Sequence, residues 1–182
     1  MSIVKEKQDK ALEVLKGDYG YTNPMQSPRI EKVVVSVGIG STKDKNKIAL
    51  IADRLGKITG QKASPRQAKK SIASFKLREG DIIGYQVTLR GKRMHTFLDK
   101  LIHVALPRTR DFRGINRTIA DQMGNATIGI KEHTIFPETS DEELKDVFGL
   151  AITIVTSSED KDQTISFLEH LGFPLKKKEE GK

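Results

Sequence analysis

The chain contains no cysteine and no tryptophan. The first absence excludes disulfides, thiolate nucleophiles and cysteine-based zinc sites together. Aromatic residues make up only 5% of the sequence, too few for a surface that stacks one base of a single strand after another. No run of about 18 apolar residues exists, so no transmembrane helix is expected. The opening stretch MSIVKEKQDKALEVLKGDYG is too charged for the apolar region of a signal peptide, and a protein that stays where it is made is the expectation. Also missing are G-x-S-x-G, H-E-x-x-H, the phosphate-cradling G-x-x-x-x-G-K-[ST] and a complete G-x-G-x-x-G. The four histidines, at 95, 103, 133 and 170, are scattered. Acidic pairs such as Asp141 with Glu142 and Glu159 with Asp160 stand where helix N-termini attract negative charge, which accounts for them without catalysis. The chain therefore reads as no enzyme, with no metal, no cofactor and no small-molecule substrate.

What the chain has is cationic charge in one place. Residues 57 to 113 hold 14 Lys or Arg against Glu79, Asp81, Asp99 and Asp111, a local balance of +10 in a chain of 182 residues whose total is +8. The remaining residues sum to −2, so the basic character is a block rather than a general solubility charge. Such asymmetry points to a polyanion as partner.

The order of elements follows from periodicity. Residues 3 to 16 fit a helix with Leu12 and Leu15 inward, ending near Gly17. Ile30 to Val37 is a β-branched strand, with Glu31, Val33, Val35 and Val37 on one side and Lys32, Val34 and Ser36 on the other. Asp44 to Ile58 carries Ile48, Ile51, Leu55 and Ile58 as a helical stripe, with Gly60 as its terminator. Residues 64 to 82 fit two weak strands joined by a long basic tip, or a solvated loop. Gly84 to Arg90 alternates strictly, Tyr85, Val87 and Leu89 facing one way and Gln86, Thr88 and Arg90 the other. A helix over 92–104 follows, stopped by Pro107, with His95 and His103 as partly buried side chains. Residues 107–114 read as an extended segment bearing Arg108, Arg110 and Arg113. Ala126 to Lys131 and Ala151 to Thr156 are further strands. A short helix is expected from Ser140 to Phe148, and another capped at Ser158 or a neighbour and ended by Gly172 and Pro174.

With no internal repeat and no low-complexity linker, residues 1–182 read as a single α+β domain. A mostly antiparallel curved sheet has helices on one face and the other face open. Residues 1–20 form an N-terminal helix and turn, 64–84 a protruding basic hairpin or loop, and 176–182 a frayed tail. The open face would carry Lys32, Ser36, Gln86, Thr88, Arg90, Thr127, Lys131 and Thr153, with Gly129 letting a flat partner come close. Small hydroxyls and amides beside Lys and Arg suit the 2′-hydroxyls and phosphates of structured RNA. An ordinary antiparallel strand with a wet outer face fits the same alternation.

Particular strings then resemble a known family. SPRIEKVVVSVGIG, ITGQKAS, AKKSIASFKLREGDIIGYQVTLRG, FLDKLIHVALPRTRDFRG, GNATIGIKEHTIFPE and LEHLGFPL look like the bacterial-type 5S-rRNA-binding protein of the large ribosomal subunit, in order over about residues 27 to 175. The resemblance implies a structural protein of the central protuberance whose concave sheet holds 5S rRNA and which also touches 23S rRNA. By position, it implies RNA contacts at Lys32, Ser36, Gln61, Lys62, Thr88 and Arg90. At position 36 the family usually has Asn, and Ser has a shorter reach. The tip would meet peptidyl-site tRNA through Lys69, Lys70, Lys76 and Arg78. Glu138, Asp141, Glu142 and Glu143 are the expected bridge to a basic protein of the small-subunit head, which places the chain in the cytoplasmic ribosome, away from membranes.

Overall fold

The computed structural model describes residues 2–40, 42, 44–140 and 146–176. Among them five strands, β1 (Ile30–Gly38), β2 (Ser64–Gln67), β3 (Ile82–Leu89), β4 (Ala126–Ile130) and β5 (Leu150–Thr156), form one open antiparallel sheet in the order β2-β3-β1-β5-β4. Five helices accompany them: α1 (Ile3–Asp9), α2 (Ala11–Tyr19), α3 (Lys45–Thr59), α4 (Gly91–Lys100) and α5 (Lys161–Leu171). Period-two burial is plain on β4 and β5, over most of β1 and over Gln86–Leu89 of β3, as expected where only one side is covered, whereas Tyr85, expected inward with Val87 and Leu89, is half-buried and Gly84 is buried instead. Val33, Val35 and Val37, Val87 and Leu89, Ile128 and Ile130, and Ile152 and Ile154 are buried, while the residues between them are half-buried or exposed.

By packing, the chain divides into two compact units, and β1, β4 and β5 each contribute residues to both. One comprises Val34–Leu89 and Gly129–Ile152. Here Asp44 caps α3 by accepting from the Asn46 N–H at 2.9 Å, and Gly60, left-handed at φ 67°, ends it. Ile51, Leu55 and Ile58 are buried as α3 lies against β3 and the turn Pro137–Thr139. Each such fully buried side chain stabilises by roughly 1.5–3 kcal/mol. β2 pairs antiparallel with β3, Ser64 opposite Gln86 and Arg66 opposite Gly84, with an irregularity between Arg66 and Gln67. His133 is fully buried, stacked on Phe148 at 3.9 Å between ring centroids.

The other unit comprises Met1–Val33, Arg90–Ile128 and Thr153–Lys182. α1 packs on α2, α4 and α5. The Val4 N–H donates to Asp99 Oδ1 at 2.9 Å, Lys7 Nζ donates to the Leu171 carbonyl at 3.2 Å, and Tyr19 and Ser166 hydroxyls pair at 2.9 Å. Two-ended polar ties of this kind, over apolar contacts such as Leu168 and Leu171, dock the N-terminal segment rather than leave it loose.

Several expectations are corrected here. The single N-terminal helix is two, broken at Lys10, and the second continues through Gly17 to Tyr19 before left-handed Gly20 at φ 64°. Leu12 and Ile48 are half-buried rather than inward. Glu31 shares parity with Val33 yet is exposed while Ile30 is buried; an unpaired carboxylate costs too much inside, so the alternation slips by one at the strand's start. The fourth helix begins at Gly91 and finishes as a π-helical turn, Leu101–Ala105. His103 is exposed. Residues 107–114 are turns rather than an extended run: Arg108 and Thr109 N–H groups return to the carbonyls of Ala105 and Leu106, and Asp111 has φ 53°. That bend brings Ile115 alongside Leu175, where Ile115 N–H donates to the Pro174 carbonyl and Lys176 N–H to the Ile115 carbonyl. Lys176 is thus tied down, and residues 177–182 of the expected tail lie outside the described residues. Of the cap expected at Ser158 or a neighbour, the structure places Asp160 before α5, without a capping bond from its side chain. Most of the short helix expected from Ser140 falls on residues 141–145, also outside them.

Two glycines on the strands make opposite demands. A Cβ at Gly84 would stand 2.7 Å from the Val37 carbonyl oxygen, whereas one at Gly129 would meet nothing within 4 Å. Gly84→Ala is expected to cost about 1–3 kcal/mol, and Gly129→Ala to stay within about 0.5 kcal/mol, as read from denaturant midpoints.

Candidate nucleic-acid interface

The polar side of each strand is set by the apolar side. On β3, burial of Val87 and Leu89 leaves Gln86 and Thr88 half-buried, and the turn after α3 reaches the same strand. Thr59 Oγ1 donates to the Leu55 carbonyl at 2.7 Å and to the Gln61 carbonyl at 3.1 Å, so the turn is fixed from within. Gln61 Nε2 then donates to the Thr88 carbonyl at 3.3 Å, while Lys62 is exposed. The structure therefore brings together Gln61 and Thr88, two of the residues expected to share a ligand. Ser36 is half-buried on β1, and Gly129 and Lys131 are exposed at and just beyond the end of β4.

In the other unit Lys32 is half-buried and Arg90 exposed, with Arg90 Nη1 donating to the Glu31 carbonyl at 3.4 Å. Thr127 and Thr153 face each other across β4 and β5 with hydroxyls 3.1 Å apart. Each can donate to the other and still accept, which suits a ligand rich in hydroxyls and phosphate oxygens.

The basic hairpin is a built arm rather than a loose loop. Ala68 N–H donates to the Asp81 carbonyl at 2.8 Å, Gly80 N–H to the Ala68 carbonyl at 3.1 Å, and Ile72 and Leu77 exchange bonds at 3.0 and 3.2 Å. Glu79 N–H donates to Ser71 Oγ at 2.9 Å and Arg78 N–H to Asp81 Oδ2 at 2.8 Å. Every residue from Lys69 to Ile82 is exposed except Leu77, so Lys69, Lys70, Lys76 and Arg78 all stand in water. Glu138 is exposed in the turn Pro137–Thr139, and Asp141, Glu142 and Glu143 lie outside the described residues.

Sequence reasoning passed over two features. Lys92 and Arg93, exposed, stand in the first turn of α4, where the helix carries no acidic residue. Cations at that end oppose the helix dipole, so their placement there is unfavourable within the chain and favourable against a polyanion. The signal was the run RGKR. The second is Phe75, an exposed phenyl at the tip of the arm, hidden by the low aromatic total. Among the described residues no three His, Asp or Glu side chains gather as a metal site requires, and no helix is long and apolar enough to cross a membrane.

Comparison with known proteins identifies the family. A family model described as Ribosomal protein L5 matches residues 23–78, and a second, described as the C-terminus of the same ribosomal family, matches residues 82–175. The chain belongs to the L5 family of large ribosomal subunit proteins. It is 49% identical over 170 residues to the large ribosomal subunit protein uL5 of Trichlorobacter lovleyi, covering 93% of this chain and 95% of that one. The uL5 of Desulfotalea psychrophila is 48% identical over 179 residues, 97% of this chain and 100% of its own, and that of Geobacter sulfurreducens 47% over 178, 97% and 99%. Membership makes the chain a structural component of the ribosome rather than an enzyme, and the two family models between them take in the sheet, α4 and all of the basic arm but residues 79–81.

Where the chain enters β4, Asp121 organises the turn. Its Oδ1 accepts from the Asn125 N–H at 2.7 Å and the Met123 N–H at 3.0 Å, and these bonds, that from Asn125 foremost, hold its carboxyl below the usual carboxylate range. A lowered native pKa means stability that is present above the unfolded value of about 3.9 and lost as pH falls through the native one. Asp121→Asn should therefore lower the thermal midpoint at neutral pH, and the gap from wild type should close as pH drops through the carboxylate range.

Proposed function

We propose that this chain binds 5S rRNA, and touches 23S rRNA, through the polar side of its sheet, as one RNA-binding domain of the cytoplasmic large subunit's central protuberance. The observation that carries the reading is the one-sided burial of the strands, which leaves Lys32, Ser36, Gln86, Thr88, Arg90, Thr127 and Lys131 half-buried or exposed while their neighbours close the core. Gln61 and Lys62 join them from the turn after α3, and Lys92 and Arg93 supply cations that α4 itself does not neutralise. Neutral hydroxyls and amides among the cations favour recognition of backbone and 2′-hydroxyls over base stacking on the sheet.

The arm, with Lys69, Lys70, Lys76 and Arg78, reaches peptidyl-site tRNA, where mobile cations need read no base. Glu138, with Asp141, Glu142 and Glu143, meets a basic protein of the small-subunit head by complementary charge.

Thr88→Ala and Arg90→Ala should each weaken retention of 5S rRNA on filters by about 1.5–3 kcal/mol while the thermal midpoint holds. Wild-type affinity in both would sink the reading. Neutralising Lys69, Lys70, Lys76 and Arg78 together should spare 5S rRNA and reduce tRNA occupancy of the peptidyl site; collapse of 5S binding instead would mean the arm is part of the sheet's own ligand surface.

A further inference from the structure

All ten aromatic residues of the chain, seven Phe and three Tyr, lie among the described residues. Phe97, Phe136, Phe148, Phe167, Phe173 and Tyr21 are buried, and Phe112, Tyr19 and Tyr85 are half-buried. Phe75 is 76% exposed. A lone phenyl in water would need no account if it sat on a frayed loop, but this one is held. It ends the short 3-10 turn Ala73–Phe75, which the Lys76 N–H closes onto the Ala73 carbonyl at 3.0 Å. Lys76 takes a left-handed φ of 51°, unusual for a residue with a Cβ, and the reciprocal Ile72 and Leu77 bonds clamp the base of the turn. Ala73 and Ser74 beside it are small.

The surroundings decide between apolar partners. From Lys69 to Arg78 there are four cations and no acid, so a protein pocket lined for a phenyl would also have to be strongly acidic around its rim. A nucleobase offers a π-face with phosphates on either side, and one partner meets both demands. We propose that Phe75 is a stacking face for an accessible nucleobase of the tRNA that the arm meets. This rests on the arm's contact with tRNA proposed above and adds to it a term that salt does not screen.

The test uses ribosomes assembled with the variant chain, and the affinity of deacylated tRNA for the peptidyl site over a series of monovalent salt concentrations. Phe75→Ala should weaken binding roughly five- to a hundred-fold, with the slope of log affinity against log salt unchanged, because no phosphate contact is lost. Phe75→Trp should bind as well as wild type or better, and Phe75→Leu, apolar but without a π-face, should stay weak. The four-cation variant should lose affinity and flatten the slope. If Phe75→Ala binds like wild type while the four-cation variant does not, stacking is wrong and the tRNA contact stands. If Phe75→Leu matches wild type, the ring is an apolar plug rather than a stacking face. Should the four-cation variant also bind normally, the tRNA contact itself fails and stacking with it. The arm lies outside the core, so thermal midpoints of all four variants should match wild type.

Discussion

The constraint on which the structure depends is the two-residue period of a strand whose sheet is covered on one side only. Once Val33, Val35, Val37, Val87, Leu89, Ile128, Ile130, Ile152 and Ile154 are committed to the interior, the residues between them have no freedom to hide. Their chemistry is then chosen by what lies outside. In water alone that chemistry would be arbitrary, since exposed positions tolerate most residues at little cost. Here it is mostly polar: apart from Val34, the residues between are Ser36, Thr88, Gly129 and Thr153, flanked by Lys32, Gln86, Arg90, Thr127 and Lys131. The core thus does more than stabilise. It fixes which side chains are presented and in what register, and a one-residue slip in any strand would exchange the presented set for the buried one.

How far this could be read beforehand depended on whether period and parity survive locally. The strand within GYQVTLR is read correctly from Gln86 to Leu89, where nothing interrupts its alternation, though Tyr85 is half-buried rather than inward, and α3 is read correctly because Asp44 and Gly60 mark both ends with their own chemistry. Glu31 shows the limit: parity put it with the valines, but the cost of burying a carboxylate without a partner outweighs pattern. The N-terminal helices were misjudged because Gly17 resembles a stop, while the actual terminator is Gly20, in the left-handed conformation that a pattern cannot reveal. Residues 107–114 read as extended because alternating Arg residues look like a strand. Their turns are imposed by Ile115, which must reach Pro174 and Lys176, far along the chain, and no local window contains that information.

The candidate surface was legible for the same reason the strands were. Gln61 and Thr88 are 27 residues apart, and it is a single hydrogen bond from the Gln61 side-chain amide to a strand carbonyl that joins them; the family resemblance supplied Gln61 where period alone could not. Lys92 and Arg93 were overlooked because a basic run reads as a solvated face. Only their position in the first turn of a helix makes them informative, since there they face the positive end of the dipole.

Placed together, these features describe a chain that retains several unfavourable terms in isolation. Four cations ride on an arm with almost no buried side chain, cations begin α4 against its own dipole, and a phenyl ring stands in water. None is large: each amounts to a few tenths to about 1–2 kcal/mol, small against the burial of residues such as Phe136 and Phe167. Yet each has the sign that a polyanion with accessible bases would reverse. A monomer selected only for its own stability would have replaced them at little cost. Their common sign is better explained by one kind of partner than by separate accidents of composition.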